Sequence, residues 1–162
     1  MSFGQLVTII LALSAGAALG IFVLAQRPRS RIHQVFFGFV VGTTTWGIGI
    51  VGLFTTHSFF FNQFVFYGAA LMLAGMFLFA RVFPYNEPIP RRWYWYLLPA
   101  ALVVVAGRAG LIVQGLRITH SGFVEPVNGP LIFAFVVTSV AYLAATIYML
   151  TKKYRSTSGR AR

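Results

Sequence analysis

Five apolar stretches divide this chain, and each is about 20 residues long, the length with which an α-helix crosses a bilayer. They run from Leu6 to Ala25, Val35 to Phe54, Phe64 to Phe83, Trp93 to Val113 and Pro130 to Leu150. Only 9% of the residues are charged and 58% are hydrophobic, whereas a soluble domain carries about 25% charged residues. The pattern predicts an all-α integral membrane protein with five transmembrane helices. We expect one domain over residues 1–155 and a basic cytoplasmic tail over residues 156–162.

The basic residues mark one side of this five-pass pattern. The chain has 13 Lys and Arg residues against 2 Asp and Glu residues. With five crossings, eleven of the 13 lie on the same side: Arg27, Arg29, Arg31, Arg81, Arg91, Arg92, Lys152, Lys153, Arg155, Arg160 and Arg162. Because Lys and Arg accumulate in cytoplasmic loops, we expect the N-terminus outside and the C-terminus in the cytoplasm. Only Arg108 and Arg117 fall elsewhere.

The net charge of +11 raises the question of a nucleic-acid partner, because basic patches neutralise phosphates. Here the charges flank apolar spans and do not form one face of a soluble fold, so we expect no nucleic-acid binding. Anionic lipid headgroups are the better partners, at about 1 kcal/mol per basic residue near the membrane surface, and an acidic neighbouring subunit is a second one. The residues assigned to these contacts are Arg27, Arg29, Arg31, Arg91, Arg92, Lys152, Lys153 and Arg155.

Two clusters of aromatic residues border the spans. The first cluster, in the link from Thr55 to Asn62, is Phe59, Phe60 and Phe61. The second cluster, at the start of the fourth span, is Trp93, Tyr94, Trp95 and Tyr96. Three phenylalanines in a loop predict a segment that lies in the outer interface or against a partner. Tryptophan and tyrosine concentrate at membrane–water interfaces, so we expect both clusters to act as interface anchors.

Glycines spaced four residues apart occur in the first two spans. Gly16 and Gly20 form such a pair in the first span, and Gly38 and Gly42 form another in the second. Small residues at this spacing let helix backbones approach closely in lipid, where water does not drive helices together. We expect these glycines to pack helix on helix. The contact either joins the first two helices of this chain or docks another subunit.

A candidate notch for a ligand or partner combines two spans. Thr43, Thr44 and Trp46 lie in the second span, and Arg108 is the one ionisable residue well inside an apolar stretch. The threonines either bond to carbonyls one turn back in their own helix or line a polar notch with Trp46 as its wall. Arg108 lies about 22 Å along its span, near the outer boundary. It either snorkels to phosphates, pairs with Glu125, or contacts a ligand or partner.

Residues that carry catalysis or hold cofactors are sparse. The chain has no cysteine, and its acids, Glu87 and Glu125, both lie in links. It has no HExxH, GxSxG or P-loop motif. His57 and His120 fall on the expected outer side without the spacing of a metal or haem site. We expect no catalytic residue, no enzyme activity, no metal and no intrinsic cofactor, with lipids bound directly and a pigment or haem contacted only through partners.

One segment carries a family resemblance. The run from Leu24 to Phe37, LAQRPRSRIHQVFF, followed by Trp46, resembles the N-terminal seven-helix membrane region of bacterial sensor histidine kinases. There an Arg/Asn-Pro-Arg-x-Arg link precedes a Phe-rich second helix with a central Trp, and Phe66-Tyr67-Gly68 and Gly110-Leu111 are also similar. The resemblance covers most of the chain and implies a membrane input domain that senses a stimulus. The chain departs from this family because it has five predicted helices and no PAS, dimerisation or kinase region.

These observations predict one of two functions in the bacterial inner membrane. The first is a non-enzymatic accessory or scaffold subunit of a larger respiratory or photosynthetic complex. Such a subunit acts by lateral helix packing and interface anchoring, and its partners are other membrane-protein subunits and anionic lipids. The second is a membrane-embedded sensory input module of a histidine-kinase-type signalling system. In that case the threonine notch and Arg108 bind the stimulus from the outer side.

Overall fold

The computed structural model describes residues 3–84, 86, 89–119 and 124–158, and most of them are helical. In chain order the elements are α1 (Phe3–Gln26), α2 (Arg31–Thr56), α3 (Phe59–Val82), a 3₁₀ helix (Arg91–Leu97), α4 (Leu98–Arg108), β1 (Val113–Ile118), β2 (Val124–Asn128) and α5 (Ile132–Ser158). Among the described residues, four helices are long and apolar enough to cross a membrane: Gly4–Gln26, Arg31–Thr56, Phe59–Val82 and Ile132–Arg155. The expected class, a helical multi-pass membrane protein, is compatible with these four helices.

The fourth predicted span is shorter than the sequence indicates. We expected one helix from Trp93 to Val113, whereas α4 has 11 residues and ends at Arg108. At 1.5 Å per residue α4 is about 16 Å long, and with the end of the 3₁₀ helix before it the apolar helix runs from Tyr94 to Arg108, short of the ~20 residues that a span requires. The helix ends where Gly110 adopts φ +71 and the Leu111 N–H donates to the Ala106 carbonyl at 2.9 Å, the bond of a Schellman motif. The described part of the chain therefore has five α-helices, while five spans stay a prediction.

A β-hairpin occupies the connection between α4 and α5, which the all-α prediction treated as an external link. β1 and β2 pair antiparallel, with Arg117 opposite Glu125. Gly129 closes the base of the hairpin, because a Cβ there would collide with the Leu111 carbonyl. The turn at residues 120–123, which includes His120, lies outside the described residues.

α3 is the central helix of the bundle. α2, α4 and α5 pack on it, and α1 packs on α2. Aromatic rings join α3 to α5, since Phe66 meets Phe135 at 5.1 Å between ring centroids and Phe77 meets Tyr142 at 5.7 Å. The buried core comprises Ala70, Ala74, Phe77, Ala100, Val103, Ile112, Val113 and Tyr142. The core thus lies on the side of α3 that faces α4, α5 and the hairpin, and α1 lies outside it.

Successive helices run in opposite directions, so most basic residues gather at one end of the bundle, which we call the basic end. Lys153 near the end of α5 bonds there to the Arg81 carbonyl near the end of α3. The described basic residues at this end are Arg27, Arg29, Arg31, Arg81, Arg91, Arg92, Lys152, Lys153 and Arg155. Arg108 and Arg117 lie at the opposite end, the hairpin end. Which side of the membrane each end faces stays a prediction.

Candidate functional site

A seam of glycines joins α2 to α3. Gly42 and Gly49 of α2 lie against the backbone of α3, and Gly68 and Gly75 of α3 lie against the backbone of α2. A Cβ on Gly49 would lie 2.6 Å from the Val65 nitrogen, closer than side chains pack. Within each helix the two glycines are seven residues apart, so they return to the same face after two turns. This seven-residue spacing is visible in the sequence, but the predicted helix contacts rested on the four-residue spacing alone.

The four glycines predicted to pack helices divide into two pairs. A Cβ on Gly20 would lie 2.7 Å from Val40 Cγ1, and one on Gly42 would collide with the backbone of α3. Gly16 and Gly38 are different, because a Cβ on either would meet nothing within 4 Å. Close packing within the chain therefore uses Gly20 and Gly42, and leaves Gly16 and Gly38 on open surfaces.

The threonines of the predicted notch bond mainly within α2. Thr43 Oγ1 donates to the Phe39 carbonyl at 3.0 Å, and Thr45 Oγ1 donates to the Val41 carbonyl at 2.9 Å. These are the bonds to the preceding turn that hydroxyl side chains make in helices. Thr44 instead lines two apolar grooves between α1 and α2, with volumes of about 460 and 210 Å³.

Arg108 does not join these threonines, so the notch predicted from Thr43, Thr44, Trp46 and Arg108 is not assembled. Arg108 ends α4, whereas the other three residues lie on α2, and both helices pack principally on α3. Glu125, the expected carboxylate partner of Arg108, lies opposite Arg117 in the hairpin register. Trp46 is 37% exposed and lies on the α2 side of the bundle.

Arg108 borders a different polar cluster, formed with Gly107 of α4 and with Gln63 and Tyr67 of α3. Gln63 Nε2 donates to the Gly107 carbonyl at 3.5 Å, and the Tyr67 ring lies against Gly107. Arg108 acts electrostatically on the Tyr67 hydroxyl, which is buried and has no hydrogen-bond partner in the described part of the chain. Arg108 itself is exposed, and its guanidinium suits a ligand that carries a carboxylate or phosphate.

Asn62, the residue before Gln63 of this cluster, is a further buried polar residue. Its side chain is 3% exposed, and its Nδ2 has no hydrogen-bond partner among the residues that the structure describes. Buried amides without partners cost free energy. The adjacent amides of Asn62 and Gln63 in a mostly apolar helix are a sequence signal of this site that the predicted site residues did not include.

Phe59, Phe60 and Phe61 form the first turn of α3 and not a loop, which corrects the prediction. The turn begins there because the Ser58 hydroxyl accepts a bond from the Phe60 N–H at 3.3 Å, a common way to start a helix. Phe61 then lies against Gly52 of α2, and Phe59 packs on the core. Phe60 is 58% exposed, so it is the phenylalanine placed to anchor in an interface.

The second aromatic cluster, Trp93 to Tyr96, which we call the aromatic belt, lies in the 3₁₀ helix at the basic end. Tyr94, Trp95 and Tyr96 are 52%, 73% and 51% exposed, while the side chain of Trp93 lies outside the described part. The Tyr96 carbonyl also accepts a hydrogen bond from the Tyr142 hydroxyl, which ties the belt to α5. Exposed tyrosine and tryptophan beside positive charge is the arrangement expected of a membrane-interface anchor.

The basic residues predicted to meet lipid or a partner do not all point outward. The exposed ones are Arg27, Arg29, Arg31, Arg91, Lys152 and Arg155. Lys153 is half-buried, and its Nζ donates to the carbonyls of Arg81 at 2.6 Å and Phe83 at 2.5 Å. It therefore caps the C-terminus of α3, where a cation is favourable. The Arg92 side chain lies outside the described part.

Two further grooves open on the bundle surface. One, of about 270 Å³, lies between α4 and α5 and has an apolar lining that includes Leu102 and Phe135. The other, of about 280 Å³, lies at the basic end between α2, α3 and the 3₁₀ helix, where Arg31 and Tyr94 border it. Across the described residues, no group of three or more His, Cys, Asp or Glu side chains is placed to hold a metal ion.

A scan against known protein families and searches of curated proteins and of solved structures found no match.

Proposed function

We propose that the chain is a non-enzymatic accessory or scaffold subunit of a larger membrane assembly, such as a respiratory or photosynthetic complex of the bacterial inner membrane. The observation that carries this proposal is the position of α1. This helix packs on α2 and stands outside the core, and only 6% of its most apolar 18-residue window is buried. A helix that contributes so little to its own bundle is well placed to contact a neighbouring subunit.

Small residues that suit helix–helix contact also lie on α1, beside the part of this helix that packs on α2. Ala12 and Gly16 are four residues apart with Ala15 between them, and a Cβ on Gly16 would meet nothing within 4 Å. Leu11 and Leu19, 64% and 53% exposed, flank these small residues. Helices in lipid associate through small residues that allow close approach, because apolar burial alone gives no advantage over lipid. The open face of α1 therefore favours a protein neighbour.

α5 presents a second exposed apolar surface. Only 11% of its most apolar window is buried, and Phe133, Val140 and Ile147 are 74%, 60% and 56% exposed. Lys152 and Arg155 continue this helix at the basic end and are exposed as well. Lipid chains or a subunit cover the apolar part, and anionic lipid headgroups or an acidic neighbour meet the basic part.

The test is extraction of native membranes in mild detergent, followed by size separation and mass spectrometry of what migrates with the chain. We expect migration within a large complex at fixed stoichiometry. Gly16→Leu is expected to release the chain from that complex without changing the melting temperature of the isolated chain, because no internal contact is lost. Gly4→Leu, an equal change at an open glycine near the start of the same helix, is the control that stays in the complex. Migration of the unmodified chain alone, or as a small homo-oligomer, would refute the proposal.

A sensory input module is the second candidate function, and the polar cluster around Tyr67 and Arg108 favours it. Tyr67, whose hydroxyl has no partner in the described part of the chain, lies at the hairpin end with Arg108, and the exposed guanidinium of Arg108 offers positive charge to a small anionic stimulus. The resemblance of residues 24–37 to sensor histidine kinases agrees with this alternative. Migration as a small homo-oligomer, together with a coding sequence that continues into or adjoins a signalling domain, would favour the sensor over the accessory subunit.

A further inference from the structure

The groove at the basic end combines an apolar channel with a cationic mouth. Its volume is about 280 Å³, near the lower limit of ~300 Å³ for ligand pockets. Leu78 and Ile89 contribute apolar walls, Tyr94 borders it from the 3₁₀ helix, and Arg31 and Gln34 supply its polar side. Such a space fits a segment of a lipid chain better than a compact polar metabolite, because most of its lining offers no hydrogen bond.

Gly38 keeps this channel open. It lines the groove, and a Cβ at this position would meet no heavy atom within 4 Å. The opposite holds for Gly75, which also lines the groove but lies against Phe39, with a Cβ position 2.8 Å from Phe39 Cα. A larger side chain at Gly38 would therefore fill the groove without disturbing the α2–α3 seam.

Arg31 supplies the anion-binding group at the mouth. It is exposed and is the first residue of α2. The backbone N–H of Ile32 is already bonded to Asn86 Oδ1 at 3.2 Å, and the Gln34 amide donates to the Pro28 carbonyl at 2.8 Å. The guanidinium, which forms bidentate bonds with phosphate, is thus the cationic donor that the groove lining offers to a ligand.

The depth of the groove points to a ligand from the bilayer. Tyr94 belongs to the exposed aromatic belt, and such belts lie at the level of the lipid headgroups. An apolar channel that begins at this level and runs along α2 and α3 toward the hydrocarbon has the orientation of a lipid molecule. Arg31 in its lining, together with the other described basic residues of the basic end, attracts an anionic headgroup over a zwitterionic one.

We propose that this groove binds one anionic phospholipid, with its phosphate at Arg31 and part of an acyl chain beside Gly38 and Leu78. The proposal rests on membrane insertion of the bundle and holds for either function considered above. If the lipid site is refuted, both functional proposals are unaffected. If either functional proposal is refuted, the proposed lipid site is unaffected.

Native mass spectrometry of the purified full chain, exchanged into detergent with phosphatidylglycerol or phosphatidylcholine at equal concentration, tests the proposal. We expect one phosphatidylglycerol to be retained in preference to phosphatidylcholine. Arg31→Gln should lower this preference about fivefold, the effect of one basic residue near a membrane surface, while Arg29→Gln at the neighbouring turn should not change it by the same factor.

Gly38→Leu should remove the retained lipid altogether, because the leucine side chain occupies the channel. Gly16→Leu is the matched control, since it adds the same bulk at an open glycine away from the groove, and it should retain the lipid. Equal retention of both lipids by the unmodified chain, or normal retention by Arg31→Gln, would overturn the proposal. Arg31→Gln keeps the test decisive even where Gly38→Leu lowers the yield of folded chain.

Discussion

Gly68 of α3 lies against the backbone of Trp46 in α2, so close that a Cβ on Gly68 would overlap the Trp46 nitrogen and Cα. The two helices therefore meet main chain to main chain at this level. In lipid, where helix association depends on van der Waals packing and on bonds between helices, such an approach gives more contact than interlocking large side chains would. This seam fixes α2 on the central helix, and α1 is held to the bundle through α2.

Gly68→Ala is expected to lower the free energy of unfolding by about 1–3 kcal/mol, because the added methyl forces α2 and α3 apart. Gly38→Ala is the control: its Cβ meets nothing within 4 Å, and alanine favours helix by up to about 1 kcal/mol over glycine. Thermal unfolding of both variants in detergent, followed by circular dichroism, makes the comparison. A Gly68→Ala chain as stable as Gly38→Ala would contradict the close contact.

Lys153 acts as a tertiary cap for α3, so its side chain matters for stability as well as for surface charge. Replacing it by methionine removes the bonds to the Arg81 and Phe83 carbonyls. We expect a loss of about 1–2 kcal/mol, since bonds from a charged donor contribute more than neutral ones. Lys152→Met removes the same charge from an exposed neighbour and is expected to change the melting temperature little. Equal effects of the two variants would assign the contribution to net charge and not to the cap.

The part of the fold that the sequence predicts well is the part that hydropathy and charge determine. Apolar runs of span length appear as α1, α2, α3 and α5, and the basic links gather at one end because helix directions alternate. The fourth span was overestimated, since its apolar residues continue past Arg108 into β1. Hydropathy does not distinguish an apolar helix from an apolar strand, and the end of α4 depends on the positive φ of Gly110.

The candidate sites were less predictable, because they depend on contacts between distant parts of the chain. Lys153 bonds to a carbonyl 72 residues away, and Asn86 bonds to an amide 54 residues away. The separation of Arg108 from Thr44 follows from the placement of α4 and α2 around α3, which no local pattern encodes. The glycine seam is different, since its seven-residue spacing is present in the sequence and was overlooked.

Asn86 caps the N-terminus of α2 from the link after α3. Its Oδ1 accepts from the Ile32 N–H at 3.2 Å, and its φ of +53 lies in the left-handed region that asparagine tolerates. Asn86→Gly keeps the backbone conformation and loses the cap, so it should cost about 1 kcal/mol. Asn86→Ala loses the cap and also disfavours the left-handed backbone conformation, so it should cost about 1–2 kcal/mol more.

Asn86→Asp is the control for these two variants, because it keeps an acceptor at the helix N-terminus, where negative charge is favourable. Its stability should match the unmodified chain. Hydrogen exchange at residues 31–34 provides a local measurement of the same cap, and exchange should accelerate there in Asn86→Gly and not in Asn86→Asp. Unchanged exchange in all three variants would show that α2 begins without help from this link.

The Tyr67 hydroxyl is buried without a hydrogen-bond partner in the described part of the chain, so its removal should not destabilise the protein. Tyr67→Phe is expected to leave the melting temperature unchanged or to raise it, because an unmet buried polar group costs about 1–3 kcal/mol. Tyr142→Phe is the matched control: that hydroxyl donates to the Tyr96 carbonyl, and its loss should cost about 1 kcal/mol. Thermal unfolding in detergent compares the two. If Tyr67→Phe is destabilised as much as Tyr142→Phe, the Tyr67 hydroxyl has a partner within the folded chain, and the case for a ligand beside Arg108 is lost.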